Sequence, residues 1–132
     1  IAEDDALAMP VMAHPSFTGA FVASREAGVA HGVLYGTLQR LAGADISVFP
    51  NVGGRFGFSE GECRAIAAAC LDAAGPGRPI LPSPGGGMSV DRAAEMRAMF
   101  GEDVCYLIGG SLLRHGERIG EEIARMRRAL DR

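Results

Sequence analysis

The sequence predicts an α/β fold of four parallel βα units, and three observations carry that prediction. Apolar strand-like runs alternate with helix-like runs along the whole chain. The apolar runs are nearly continuous instead of alternating in and out, as strands covered on both faces require. Glycines cluster directly after three of those runs.

The strand runs are ALAMPVM (Ala6 to Met12), ADISVFP (Ala44 to Pro50), RPILP (Arg78 to Pro82) and VCYLIG (Val104 to Gly109). A helix is expected over about His31 to Leu41, with Val33, Leu34, Leu38 and Leu41 toward the core. Ser59 and Glu62 have the S-x-x-E spacing of a capping box, opening a helix that Gly75, Pro76 and Gly77 stop. Ser89 is the expected N-cap of SVDRAAEMRAMF and Gly101 its stop, and Ile119, Ile123, Met126 and Leu130 make the apolar stripe of a last helix.

At 132 residues the chain is long enough for one domain with a hydrophobic core, so residues 1–132 are read as a single domain. Four βα units amount to half of a (βα)8 TIM barrel, whose full size is roughly 250 residues; a small open doubly wound sheet has the same rhythm. The opening IAEDDA reads as the last turn of a helix, so a piece of a longer chain is expected.

Charge and composition narrow the function classes. The balance of 13 Arg plus Lys against 16 Asp plus Glu gives a net charge of -3, with no basic block to track a phosphate backbone, which speaks against a nucleic-acid partner. Every one of those cations is Arg, so no lysine amine is available for catalysis. No apolar run approaches the ~20 residues of a membrane span. Cys63, Cys70 and Cys105 show no C-x-x-C spacing; they are expected as buried small side chains in a reduced, cytoplasmic setting.

The glycine clusters suggest chemistry. Gly85, Gly86 and Gly87 follow one strand run and precede a helix start, and Gly109 and Gly110 in LIGGS follow the next. Without Cβ atoms such turns let a ligand approach main-chain N–H groups closely, which suits phosphate, although tight βα turns use glycine too. In NVGGRFGF, glycines flank Arg55, the pattern of a mobile loop that carries a guanidinium to a phosphate or carboxylate. His14 closes the first strand run, where a barrel places catalytic groups. His31 and His115 read as packing or surface residues.

Four segments resemble one family. MAHPSF, LAGADISVFPNVGGRF, LPSPGGGM and MFGEDVCYLIGGSLLRHG are similar to strands five to eight of the catalytic barrel of ribulose bisphosphate carboxylase, and more closely to the RuBisCO-like proteins that lack carboxylase activity. The resemblance spans about Leu7 to His115 and implies that the N-terminal domain and first four βα units lie outside this sequence.

The resemblance also implies roles. One phosphate would be held by main-chain N–H groups at Gly86, Gly87, Gly109 and Gly110. The positions that grip a second phosphate in the carboxylase correspond here to Val11, an apolar residue near Val48 or Phe49, and Gly85. A dianion there would have no compensation, so a monophosphate is implied, and not CO2 fixation. Arg55 stands where the carboxylase has its loop lysine, Asn51 would orient a substrate oxygen, and His14 would relay a proton. The metal is Mg2+, with ligands expected in the missing N-terminal half and none in this segment. The implied chemistry is decarboxylation or carbon–carbon cleavage of a phosphorylated keto-sugar acid through an enediolate. The alternatives are an enolase or isomerase of a methionine-salvage-type ketose monophosphate, and an inactive half-barrel fragment. A homodimer or larger homo-oligomer of the full chain is implied.

Overall fold

The computed structural model describes residues 1–24 and 26–131. Three parallel strands, β1 (Met12–Ala13), β2 (Ile46–Pro50) and β3 (Leu81–Gly85), form one sheet in the order β1-β2-β3. The helices are α1 (Gly19–Val22), α2 (Leu38–Leu41), α3 (Glu60–Leu71), α4 (Ala93–Phe100), α5 (Gly110–Leu113) and α6 (Ile119–Leu130). The βα rhythm is therefore present, with the first, third and fourth strands differing from expectation.

Prolines explain both β3 and the reduced fourth strand. The Leu81 N–H donates to the Asp45 carbonyl at 2.9 Å, so Leu81, Ser83 and Gly85 aim their amides at β2. Pro82 and Pro84 occupy the alternate positions, where a missing N–H costs β2 nothing. The strand therefore runs through both prolines to Gly85, three residues beyond its expected end at Pro82. The opposite edge of β3 lacks donors for the same reason. Expected over Val104 to Gly109, the fourth strand survives as one bridge, Gly85 to Leu107, and a 2.9 Å bond from the Cys105 N–H to the Pro82 carbonyl.

The first strand is shorter than expected because its neighbours are otherwise engaged. Pro10 offers no N–H, and the Val11 N–H donates to the Asp45 carboxylate at 2.8 Å while the Asp45 N–H returns to the Val11 carbonyl at 2.9 Å. Ladder pairing begins only at Met12, opposite Ile46. The segment before it, from Ala6, is turn and coil, with Ala8 at a positive φ of 43°.

The helical segment from 31 to 41 forms, but residues 33–37 are π-helical before α2 begins. Its buried face is not the one expected. Val33, Leu38 and Leu41 are exposed, while Tyr35, Gly36 and Arg40 are buried. Gly32 and Gly36 press on α3: a Cβ on Gly36 would sit 2.6 Å from the Ala69 Cβ. That contact turns the glycine edge inward and the leucines outward. Arg40 then reaches main-chain carbonyls of Arg78, Ala69 and Gly77 at 3.0, 2.9 and 2.9 Å, so its charge is buried among oxygens that leave helix and loop ends unpaired.

Helix α3 opens on the expected capping box: the Glu62 N–H donates to the Ser59 hydroxyl and the Ser59 N–H to the Glu62 carboxylate. It buries Cys63, Ile66, Ala67 and Cys70, one stripe at helical spacing. Burial pushes the Cys63 thiol up and the Cys70 thiol to about 12. Ser89 precedes a 3-10 turn, Val90–Arg92, but its side chain makes no cap bond; α4 follows and ends at Gly101, as expected. The apolar stripe of α6 is only partly covered, and Ile123 is exposed.

The core lies between one face of the sheet and α3 and α4, where Phe49, Ile66 and Met96 are fully buried and Phe49 meets the Phe100 ring edge-on at 6.0 Å. Ser47 donates to the Tyr35 carbonyl, which fixes Ser47 and Phe49 on this face and Ile46 and Val48 on the other. Register puts Met12 and Leu81 beside Ile46. Both are exposed, so this end of the second face is apolar and uncovered, while Val48 and Ser83 further along it are buried.

Candidate functional site at the strand ends

In a parallel sheet the segments that follow the strands lie along one edge. His14 follows β1, Asn51 and Arg55 follow β2, Gly86 and Gly87 follow β3, and Gly109 and Gly110 follow the Leu107 bridge. All the residues singled out from sequence therefore share the C-terminal edge of the sheet.

Contacts at this edge are closest between the second and third turns. Gly86 and Gly87 have positive φ of 85° and 64°, the left-handed region that favours glycine. A Cβ on Gly87 would lie 2.7 Å from the Gly53 carbonyl, and one on Gly54 would lie 3.1 Å from the main chain of Gly86. The two glycine runs are thus stacked backbone on backbone. The consecutive glycines serve this close approach as well as any ligand.

Side chains hold the third turn from behind. The Arg92 Nη1 donates to the Gly87 carbonyl at 2.7 Å and to the Val52 carbonyl at 3.3 Å. Its Nε and Nη2 grip Glu95 at 2.9 and 2.7 Å, which raises the guanidinium pKa and lowers that of the carboxyl. The Ser111 hydroxyl donates to the Met88 carbonyl at 2.6 Å, tying the third turn to the fourth. With both carbonyls engaged, the trans peptides turn the Met88 and Ser89 N–H groups the opposite way. Among the described residues, the Gly87 and Met88 N–H groups have no hydrogen-bond acceptor. Gly109 and Gly110 are exposed, and a Cβ on either would meet nothing within 4 Å.

The remaining site residues are placed differently. Asn51 is fully buried, its Nδ2 facing the Met88 and Met96 sulfurs at 3.1 and 3.2 Å and its Oδ1 without a hydrogen-bond partner among the described residues. Its amide faces the helix layer, not solvent. Arg55 is exposed, its guanidinium 4.9 Å from the centre of the Phe56 ring. Beside it, a cavity of about 1060 Å³ opens between residues 19–24, 26–31 and 55–62. His14 is exposed, with Nδ1 3.3 Å from the Ser16 hydroxyl.

Sequence reasoning missed Arg92, Ser111 and Arg40. A cation in the first turn of a helix opposes the macrodipole, and that conflict marks Arg92 as a residue needing a reason. Ser111 lies in the LIGGS run itself. Among the described residues no group of three or more His, Cys, Asp or Glu side chains is placed to hold a metal ion. The described residues do not by themselves make a Mg2+ site, and the resemblance implies that its ligands lie outside this segment. No helix among them is long and apolar enough to cross a membrane.

No family model matches the chain. Individual relatives do. The chain is 49% identical over 112 residues to the 5-methylthioribulose-1-phosphate isomerase of Rhodospirillum rubrum, covering 85% of this chain and 28% of that protein. It is 35% identical over 131 residues to the 2,3-diketo-5-methylthiopentyl-1-phosphate enolase of Exiguobacterium sibiricum, covering 99% and 33%. A crystal structure of a Rubisco-like protein from Rhodopseudomonas palustris superposes with a TM-score of 0.77 at 36% identity, over 96% of this chain and 32% of that one. The chain thus spans about a third of the length of each. With a parallel α/β sheet and glycine turns where the resemblance places them, and identities of this size across nearly its whole length, the chain belongs to the family of RuBisCO-like proteins.

Proposed function

We propose that this chain supplies the phosphate-gripping end of an enzyme that enolises or isomerises a ketose monophosphate of the methionine-salvage type. The observation that carries it is the third turn: its carbonyls are engaged from behind while the Gly87 and Met88 N–H groups have no acceptor among the described residues. Main-chain N–H groups converging on one spot form an anion nest. Gly109 and Gly110, tied to that turn through Ser111, leave open space in which a dianion can reach a second pair of N–H groups. Among the relatives above, one is named an isomerase and one an enolase of a 1-phosphate.

Within this scheme, Arg55 rides a loop whose base abuts the third turn and brings charge to a substrate oxygen. Unlike a lysine, its guanidinium stays protonated and so serves as an electrostatic clamp instead of an acid. His14 carries a proton at the far end of the edge. Asn51 supports the Met88 turn from below. The four βα units form the second half of a barrel, the uncovered apolar end of the second sheet face turns toward the first half, and the Mg2+ ligands lie outside the described residues. Decarboxylation of a keto-sugar acid would pass through the same enediolate, but none of the relatives named above is a decarboxylase.

A chimera tests this reading. Residues 1–132 replace the matching segment of the R. rubrum isomerase, and turnover of 5-methylthioribulose 1-phosphate and of the diketone 1-phosphate is followed. Isomerisation or enolisation within about tenfold of the parent supports the proposal. A folded chimera that instead releases CO2 from a phosphorylated 3-keto acid, or that binds no phosphorylated ligand, contradicts it.

A further inference from the structure

We propose that Arg92 is a positioning residue that sets the third turn for anion binding and couples it to the base of the Arg55 loop; the proposal rests on the phosphate reading above. The guanidinium makes four hydrogen bonds. One edge is forked onto Glu95, with bonds of 2.9 and 2.7 Å. The remaining Nη1 bridges two carbonyls from different turns, Gly87 after β3 and Val52 after β2, at 2.7 and 3.3 Å.

Two consequences follow from peptide geometry. A planar trans peptide holds its C=O and N–H on opposite sides, so taking the Gly87 carbonyl directs the Met88 N–H away from Arg92. A free carbonyl facing a dianion would repel it, and the latch removes that option. Val52 adjoins Gly53, and Arg92 Nη1 would lie 3.3 Å from a Cβ at Gly53. The same nitrogen therefore fixes the base of the loop that carries Arg55. Anion binding at the third turn and the position of Arg55 then share one bolt. Lysine could retain the charge, but it cannot reach Glu95 through a two-toothed fork while bridging both carbonyls.

The test compares the parent chimera carrying residues 1–132 with its Arg92→Ala, Arg92→Lys and Glu95→Gln variants, using amide 1H–15N spectra during titration with inorganic phosphate. In the parent, phosphate moves the Gly87, Met88, Gly109 and Gly110 resonances, and the Gly53 and Gly54 resonances follow with the same midpoint. In Arg92→Ala the phosphate dissociation constant rises about five- to tenfold, the scale of one charge-assisted hydrogen bond. There the Gly53 and Gly54 resonances no longer track the titration, although those of Gly109 and Gly110 still do. Arg92→Lys restores part of the affinity and little of the tracking. Glu95→Gln weakens the fork without removing the guanidinium and gives a smaller loss of the same kind, which covers the case in which Arg92→Ala does not fold. A parent that binds phosphate and variants that bind it equally, with Gly53 still tracking, overturn the role of Arg92 alone. If phosphate moves none of these amides in the parent, the anion reading falls and this proposal falls with it.

Discussion

The two ends of the strand edge are built in opposite ways. After β2 and β3 the turns are stacked glycine on glycine, latched by Arg92 and Ser111, and underlain by Asn51, Met88 and Met96. After β1 the turn is held by side chains instead: among the described residues His14 bonds only its neighbour Ser16, Thr18 accepts from the Tyr35 hydroxyl at 2.8 Å, and Phe17 is 98% exposed at a positive φ of 59°. On the proposed reading the difference separates two jobs. A main-chain anion grip needs its peptides locked before the ligand arrives, so that no reorganisation is left to do. A side-chain proton carrier can tolerate an exposed mount that a neighbouring part of the structure later covers.

That contrast can be stressed from below. Cys70 is buried in α3 behind the sheet, against the Tyr35 carbonyl, and burial holds its thiol at about 12 against an ordinary 9.0. A raised folded pKa means stability that is complete below the unfolded value and lost as pH climbs toward the folded one. Unfolding free energies from urea titrations should fall between pH 9 and 12, by up to about 4 kcal/mol at 1.36 kcal/mol per pH unit, and Cys70→Ala should flatten that alkaline limb. An unchanged limb in the variant would place the titration elsewhere.

A smaller effect compares two glycines with one proposed task. Gly87→Ala forces a Cβ to 2.7 Å from the Gly53 carbonyl at positive φ and should cost about 3 kcal/mol of stability in a thermal melt. Gly109→Ala meets nothing within 4 Å; it should cost under about 0.5 kcal/mol while still raising the KM of the chimera for its phosphorylated substrate. Equal stability costs for the two would mean that the fourth turn is as locked as the third. Smallest of all, Phe17→Gly relieves a positive φ in the turn after β1 and should move the melting point by no more than about 0.5 kcal/mol in equivalent stability.

The legible parts of this molecule were those in which one residue type has one physical use. The Ser59–Glu62 capping box, the buried Cys63 and Cys70, and Gly101 as a helix stop depend on local rules that three or four residues state completely. Pro82 and Pro84 misled, because whether a proline ends a strand depends on which edge its missing N–H faces, and that is fixed by a neighbour 37 residues away, Asp45 to Pro82 in sequence, through the Leu81 bond. Val33, Leu38 and Leu41 misled because close packing of Gly36 against Ala69 outweighed apolar periodicity. At the site, the glycines were legible and their supports were not: Arg92 and Ser111 act through carbonyls that carry no sequence signature.

On the proposed reading, main-chain amides of the third and fourth turns hold a single dianion. A crystal of the chain soaked in selenate, with the anion located by its anomalous scattering, tests this most directly. The account predicts one selenate within hydrogen-bond distance of the Met88 amide and of the Gly109 or Gly110 amide, with the Arg92 bonds intact behind it. A selenate found only against the Arg55 guanidinium, with the two turns empty, would contradict it.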